Sequence, residues 1–100
     1  MNPRAAKLAH TIVNYSTQVK PGELVFIYAK GFDTRDLAEA VLAETVKAGG
    51  VPYIHFDDDR ALRKLLLEAD ENIIKKLGEF LLLEMKQTQV FIGIRGRQCV

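Results

Sequence analysis

The residues best suited to chemistry lie together, at the end of an apolar run at residues 51–56. His55 is followed closely by three consecutive carboxylates, Asp57, Asp58 and Asp59. If the run is a strand of a parallel sheet, these side chains lie at its carboxyl end, where open α/β sheets bind ligands. Such a group can hold a hard cation or transfer a proton. We favour the simpler interpretation, in which one aspartate caps a following helix and the others lie in a solvated loop.

The other reactive side chains are isolated in the sequence. His10 falls between apolar positions of a helical pattern, which favours a structural role, and neither histidine has other ligand types at the spacing of a metal site. Cys99 has no base fixed beside it, and Ser16 is predicted on the packing side of a helix. The residue chemistry alone therefore predicts no catalytic residue and no metal ligand in this chain.

Two arginines near the end of the sequence are the remaining candidates for binding an anion. Arg95 and Arg97 each present a fork of donors that suits a carboxylate or a phosphate, so we expect an anion contact or a contact between domains. Residues 29–36 contain one glycine and match neither GxGxxG nor GxxxxGK[ST], which disfavours nucleotide binding. A phosphoacceptor receiver domain would need an acidic pair after the first strand and a lysine further on, whereas the first strand here ends in Ala29-Lys30-Gly31.

The elements that position these residues centre on the stretch 23–56, whose pattern predicts a strand, a helix and a second strand. Residues 24–29 are uncharged and rich in β-branched and aromatic side chains, which is typical of a central strand covered on both faces. Residues 51–56 form the second strand, where Pro52 is tolerated near the beginning or at a sheet edge. Parallel strands joined in this way predict a right-handed crossover.

The helix between these strands has clear start and stop signals. Asp33 and Thr34 offer side-chain oxygens that can cap a helix beginning near Arg35. Gly49 and Gly50 supply the left-handed conformation in which helices commonly end.

Further helices and a third strand surround this unit. Asn2 predicts the start of an amphipathic helix of about five turns that reaches Val19. Two helical segments follow the second strand, and Asp70 caps the second of them. Gly78 leaves open whether that segment divides, because an interior glycine weakens a helix. Residues 89–94 predict a third strand, also apolar enough to be covered on both faces.

Together these elements predict a single α/β domain over residues 1–100. We expect a three-layer, Rossmann-like arrangement in which helices flank a small parallel sheet ordered second strand, first strand, third strand. The third strand is followed by only a few residues in the sequence. The domain is therefore expected to belong to a longer protein.

Composition limits the partners and the compartment. The chain has 14 Lys and Arg against 13 Asp and Glu, a formal net charge of +1, so we expect no nucleic-acid partner. Its apolar windows are too short and too charged to cross a membrane. Its single cysteine cannot form an internal disulfide, and no leader-like segment opens the chain, which favours a cytoplasmic location.

Three pieces of the sequence, taken in order, resemble one known family. They are Asn14-Tyr15-Ser16 leading to Val19-Lys20-Pro21-Gly22, the turn Ala48-Gly49-Gly50-Val51-Pro52, and Ile94-Arg95-Gly96 after the third strand. Their order and spacing resemble the amino-terminal domain of the thermophilic-type metalloaminopeptidases, the leucyl aminopeptidase family that includes aminopeptidase T and aminopeptidase S. The resemblance covers nearly the whole chain.

This resemblance implies an enzyme that removes amino-terminal residues from peptides with two divalent metal ions of the zinc or cobalt type. It implies a cytoplasmic homodimer in which the metal ligands belong to a carboxyl-terminal catalytic domain. None of those ligands maps onto this chain, so the chain is expected to hold no cofactor and to be inactive alone. Its role would be to frame access to the active site and to support assembly.

The end of the sequence departs from the family, which commonly continues with acidic residues and asparagine where this chain has Arg97-Gln98-Cys99-Val100. An alternative function therefore remains, that of a free-standing α/β module that binds a nucleotide, an anion or a protein. It would use the strand ends around Lys30, residues 55–59 and Arg95.

Overall fold

A three-stranded parallel sheet organises the chain, and the computed structural model describes residues 2–96. The strands are β1 (Leu24–Lys30), β2 (Val51–Asp57) and β3 (Val90–Arg95), in the order β2-β1-β3. Both neighbours of β1 run parallel to it. The predicted strand order and the central place of β1 are confirmed, and Pro52 lies at the start of an edge strand as expected.

Four α-helices flank the sheet, and among residues 2–96 none is long and apolar enough to cross a membrane. They are α1 (Pro3–Thr11), continued by a π-helical segment (Ile12–Ser16), α2 (Arg35–Lys47), preceded by a 3-10 turn (Phe32–Thr34), α3 (Asp59–Glu68) and α4 (Glu71–Lys86). Because α4 is continuous, Gly78 does not divide it.

Three of the predicted helix caps are present and one is not. The side chains of Asn2, Asp58 and Asp70 each accept a backbone N–H from the first turn of the helix that follows. The prediction for Thr34 was wrong, because its hydroxyl donates to the carbonyl of Gly31 at 2.6 Å and makes no helix cap. The helix still begins at Arg35.

The first helical region is shorter than predicted, since it ends at Ser16 and does not reach Val19. The hydroxyl of Thr17 donates to the carbonyl of Ile12 at 2.8 Å, so a side chain competes for a helical acceptor. Gln18 then has a φ of 49°, and the amide of Val19 closes the end on the carbonyl of Val13 at 2.9 Å. Left-handed backbone at this position stops the helix.

The core fills the space between one face of the sheet and the pair α1 and α2. Alternate residues of β1 and β3 point into it, and small residues of the helices allow close approach. Its fully or nearly fully buried members are Ala5, Ala9, Val13, Val25, Ile27, Ala29, Ala38, Ala40, Val41, Ile92 and Ile94.

The opposite face of the sheet is aromatic and only partly covered. Phe26 is fully buried there, but Tyr53 is 39% exposed and Phe91 is 47% exposed. The prediction that β3 is covered on both faces was therefore wrong, because its burial alternates along the strand. Within the described chain, α3 and α4 contribute no buried residue to this face or to any other.

Candidate functional site

The carboxyl ends of the three strands meet at one edge of the sheet. Lys30, at the end of β1, is in register with Asp57 of β2 and with Arg95 of β3. The Gly31 amide donates to the carbonyl of Asp57 at 2.9 Å, and the Gly96 amide donates to the carbonyl of Lys30 at 2.8 Å. The backbone thus joins the three strand ends into one connected edge.

Two glycines at this edge leave room for the side chain of Asp33. A Cβ on Gly96 would lie 2.0 Å from Asp33 Oδ1, and a Cβ on Gly31 would lie 2.8 Å from the same atom. Gly31 also has a φ of +100°, a conformation that side chains with a Cβ rarely adopt. The loop after β1 therefore approaches the end of β3 only because both positions are glycine.

The carboxylate of Asp57 has two side-chain partners at this edge. Its Oδ2 accepts a hydrogen bond from the hydroxyl of Tyr28, and its Oδ1 lies 2.9 Å from Nε2 of His55. The rings of Tyr28 and His55 stack with centroids 5.3 Å apart and an interplanar angle of 10°. Phe26 packs beside both rings. Both carboxylate oxygens therefore have a partner, Tyr28 on the neighbouring strand β1 and His55 on the same strand, β2.

These contacts fix the ionisation of two groups. Burial raises the pKa of Tyr28 to about 12, helped by its hydrogen bond to Asp57 and by the charge of that carboxylate. Burial alone would raise the pKa of Asp57, but the hydrogen bonds from Tyr28 and His55 and the charges of His55 and Lys30 together lower it. At neutral pH the carboxylate is ionised and the phenol is protonated. The arrangement stabilises a fixed charge and offers neither a free base nor an activated nucleophile.

Of the three aspartates, only Asp58 has the role that the sequence favoured, that of a helix cap; the prediction of a solvated loop was wrong, because Asp57 ends β2 and Asp59 begins α3. Asp58 caps α3 by accepting the amide of Arg60. Asp59, at the first position of α3, lies 3.5 Å from Nζ of Lys30 through its Oδ1, and it is 49% exposed. An ion pair this exposed contributes little to stability, roughly 0–1 kcal/mol.

An open cavity of about 370 Å³ adjoins these loops. Its lining combines two aromatic rings, a guanidinium and two carboxylates, from Gly31, Phe32, Arg35, Phe56, Asp57 and Asp58. In the described part of the chain, Arg95 is exposed on the last residue of β3 and does not line this cavity. Arg97 lies outside the described residues, so its predicted anion contact is untested.

The remaining candidate residues lie apart from this edge. The Nδ1 atom of His10 lies 3.3 Å from Oε2 of Glu44, which ties α1 to α2 and fits the predicted structural role. Ser16 is exposed, so its predicted position on a packing side was wrong. Among residues 2–96 no group of three or more His, Cys, Asp or Glu side chains could hold a metal ion. Cys99 lies outside the described range.

Sequence reasoning found His55 and the aspartates but missed Tyr28. The uncharged run at 24–29 suggested one uniform apolar strand, whereas alternate side chains point to opposite faces. Tyr28 shares a face with Phe26 and is in register with His55. Alternation along β1, combined with the parallel pairing, would have placed the phenol beside the end of β2.

Comparisons with known proteins support the fold and little beyond it. No protein-family model matches the chain, and no curated protein matches it. A solved structure with a similar backbone is that of wild-type AmpT from Thermus thermophilus, with a TM-score of 0.55 and 20% sequence identity. The match covers 68% of this chain and 17% of AmpT, so the chain spans about a sixth of the length of that protein. At this identity the likeness shows that the two share the α/β fold.

Proposed function

We propose that this chain is the amino-terminal domain of a metal-dependent aminopeptidase, where it frames access to the active site and supports assembly without cleaving the peptide bond. The observation that carries the proposal is the backbone likeness to AmpT over 68% of the chain. It agrees with the resemblance of the sequence to a family that includes aminopeptidase T. The backbone likeness and the order of the motifs both support the proposal.

Two of the sequence pieces that carry this resemblance contact each other. The Gly22 amide donates to the carbonyl of Gly49 at 2.9 Å, so the turn before β1 meets the turn before β2. Gly49 has a φ of +85°, and a Cβ there would lie 3.2 Å from two atoms of Pro21. These two pieces of the sequence therefore close the βαβ unit at the amino ends of its strands.

The third piece, Ile94-Arg95-Gly96, lies at the carboxyl end of β3, where Arg95 is in register with Lys30 and Lys30 is in register with Asp57 on its other side. Arg95 is exposed there, which suits the contact between domains that the sequence suggests. Both oxygens of the Asp57 carboxylate have hydrogen-bond partners. This arrangement suits a domain that shapes a neighbouring active site and does not itself perform the reaction. The proposed two metal ions and the peptide would be bound by the catalytic domain.

The test begins with the gene and then uses the protein. We expect the gene to continue into a region with clustered Glu, His and Asp side chains. The product of the whole gene should release amino-terminal residues from peptides when zinc or cobalt is added, and the 100-residue chain should not. A gene without such a cluster, or peptide cleavage by the 100-residue chain, would contradict the proposal.

The cavity beside Arg35 favours one alternative, a free-standing module that binds a small anion or nucleotide. Titration of the chain with inorganic phosphate and with nucleotides, followed by amide chemical shifts, separates the two functions. Saturable shifts confined to residues 31–35 and 56–58, lost in Arg35→Gln and kept in Arg4→Gln, would support this alternative. Unsaturated or scattered shifts would dismiss it and leave the aminopeptidase proposal intact.

A further inference from the structure

The cavity beside the carboxyl ends of β1 and β2 is lined by charged groups of both signs and by aromatic rings. We propose that it binds a free α-amino acid with an apolar side chain. In this site Arg35 binds the carboxylate of the ligand. Asp57 and Asp58 bind its ammonium group, and the rings of Phe32 and Phe56 cover its side chain. The inference uses only the lining of the cavity and does not depend on the aminopeptidase proposal.

The guanidinium of Arg35 is available for a ligand. Arg35 is the first residue of α2, it is exposed, and it lines the cavity. Within residues 2–96 its guanidinium forms no ion pair. A guanidinium binds a carboxylate through two parallel N–H···O bonds, which fix the orientation of the bound group. Arg35 therefore provides a binding group for one carboxylate.

The two carboxylates of the lining keep positions at which they can accept further hydrogen bonds. A carboxylate has about four lone-pair positions, and the bonds from Tyr28 and His55 use two of those of Asp57. The Oδ1 atom of Asp58 accepts the amide of Arg60 at 3.4 Å, and its other oxygen has no partner in the described part of the chain. An ammonium group has three N–H donors and needs several acceptors close together. These two aspartates provide them.

Two aromatic rings of the lining are exposed to water. Phe32 is 84% exposed and Phe56 is 49% exposed. Phe32 lies in the turn before α2, where the hydroxyl of Thr34 donates to the carbonyl of Gly31 at 2.6 Å. An apolar side chain of the ligand that lies against these rings removes apolar surface from water, which favours binding. The faces of the rings also attract an ammonium group.

The size and the charge of the cavity narrow the class of ligand. Its volume of about 370 Å³ lies near the lower end of the range of roughly 300–1,000 Å³ for ligand sites, so the ligand is small. Two carboxylates and one guanidinium give the lining a net negative charge, which repels a phosphate or a polyphosphate. A simple amine would leave Arg35 beside a like charge. An α-amino acid carries both charges and therefore has a partner for each group of the lining.

The test is a titration of the isotope-labelled 100-residue chain with L-leucine, followed by amide chemical shifts. We expect saturable shifts confined to residues 31–35 and 56–58. Two analogues of the ligand each lack one charge, since leucinamide has no carboxylate and 4-methylpentanoate has no ammonium group. Each analogue should bind at least about tenfold more weakly than L-leucine, because one charged group of the cavity loses its hydrogen-bond partner.

Two variants assign the charges of the ligand to the protein groups. Arg35→Gln should weaken binding of L-leucine at least about tenfold and should not weaken binding of leucinamide, which has no carboxylate. Asp58→Asn should weaken binding of L-leucine and not of 4-methylpentanoate, and asparagine keeps the cap of α3. The matched controls are Arg4→Gln and Asp70→Asn, because Arg4 is exposed on α1, Asp70 caps α4, and neither lines the cavity.

The ligand series keeps the proposal falsifiable even if a variant fails to fold, because it uses the unaltered chain. Scattered or unsaturated shifts with L-leucine would overturn the proposal, and so would equal affinities for L-leucine and its two analogues. Saturable shifts with inorganic phosphate and none with L-leucine would overturn it in favour of the anion-binding module. None of these results bears on peptide cleavage by the product of the whole gene, so the failure of this proposal is distinct from the failure of the aminopeptidase proposal.

Discussion

The helices α2 and α4 have similar sequence patterns and different surroundings. Both are amphipathic, both are flanked by clear end signals, and α4 is the longer and the richer in large apolar residues. Yet α2 buries Ala38, Ala40, Val41 and Thr45, whereas α4 buries no residue within the described chain. The periodicity of apolar residues predicts a helix and its apolar side, but it does not say what covers that side.

Side-chain size explains part of the difference. Ala38 and Ala40 are small enough for α2 to lie close to the sheet, so that Val41 and Ile27 become fully buried. The apolar residues of α4 are mostly Leu, Ile and Phe, and large side chains keep a helix further from its neighbour. On the aromatic face of the sheet, Phe26 is fully buried and contacts the rings of Tyr53 and Phe91. The packed half of the molecule is the other face of the sheet together with α1 and α2.

The largest expected effect concerns the packed half. Ile27→Ala should lower the free energy of unfolding by roughly 2–5 kcal/mol, because it removes a fully buried side chain and leaves a cavity. Leu82→Ala, on α4, should change it by no more than about 0.5 kcal/mol, because Leu82 is 56% exposed. Urea denaturation of both variants at low protein concentration measures the contrast. Equal losses would mean that α4 packs as tightly as the sheet does.

A smaller effect is expected where α2 ends against the core. In Gly50→Ala the new Cβ would lie 2.7 Å from Cγ1 of Val19 and 3.0 Å from Cγ2 of Thr45. Thr45 is fully buried and its hydroxyl donates to the carbonyl of Val41, so it cannot move aside. Overpacking of this kind costs about 1–3 kcal/mol. The midpoint of thermal unfolding should fall by about 4–8 °C for each kcal/mol lost. An unchanged midpoint would show that the side chains around Gly50 move to make room for the new Cβ.

The βαβ unit in the packed half was predicted well from the sequence. This unit and its glycine stop follow from local chemistry that neighbouring residues determine, and so do the aspartate caps of α3 and α4. The first helix ended early because Thr17 bonds the backbone, a competition that periodicity does not record. Burial of β3 on one face alone, and the exposure of α4, depend on which distant element covers each surface. No local pattern in the sequence contains that information.

The candidate site was likewise predicted only in part from the sequence. The sequence placed His55 and three aspartates at a strand end and assigned one of them to a helix cap, which Asp58 provides. The contact of Tyr28 with Asp57 joins residues 29 positions apart in the sequence, and it needed the register of two strands. Polar residues at strand ends can therefore be found from sequence, while their pairing depends on the sheet.

The pair Tyr28 and Asp57 predicts how stability responds to pH. The folded pKa of Tyr28 is raised from 10.0 to about 12, so its contribution is complete below pH 10 and is lost as the pH rises through the folded pKa. The pKa of Asp57 is lowered, so its contribution is complete above about pH 3.9 and is lost as the pH falls through the folded pKa. Between these two pH limits, the contribution of this pair to the free energy of unfolding should therefore not change with pH.

Tyr28→Phe should remove the loss of stability that Tyr28 causes at alkaline pH. It should also lower the free energy of unfolding at neutral pH by about 1 kcal/mol, because the hydrogen bond to Asp57 is lost. Urea denaturation across a pH series measures both changes. Tyr15→Phe is the matched control, because Tyr15 is 68% exposed and lies away from Asp57, so the alkaline loss should persist in that variant. A persistent loss in Tyr28→Phe would assign the alkaline transition to another group.

The smallest effect is expected at Gly78, in the uncovered half, and its sign is opposite. A Cβ there meets nothing within 4 Å, and alanine is favoured over glycine in a helix interior by about 1 kcal/mol. Gly78→Ala should therefore stabilise α4, where Gly50→Ala destabilises the corner at the end of α2. Because α4 buries no side chain, it should open locally without unfolding the sheet. The gain should then appear as slower amide hydrogen exchange within α4, with a smaller change in the thermal midpoint of the whole domain. If the midpoint rises by the full amount instead, α4 unfolds together with the core and the two halves form one cooperative unit.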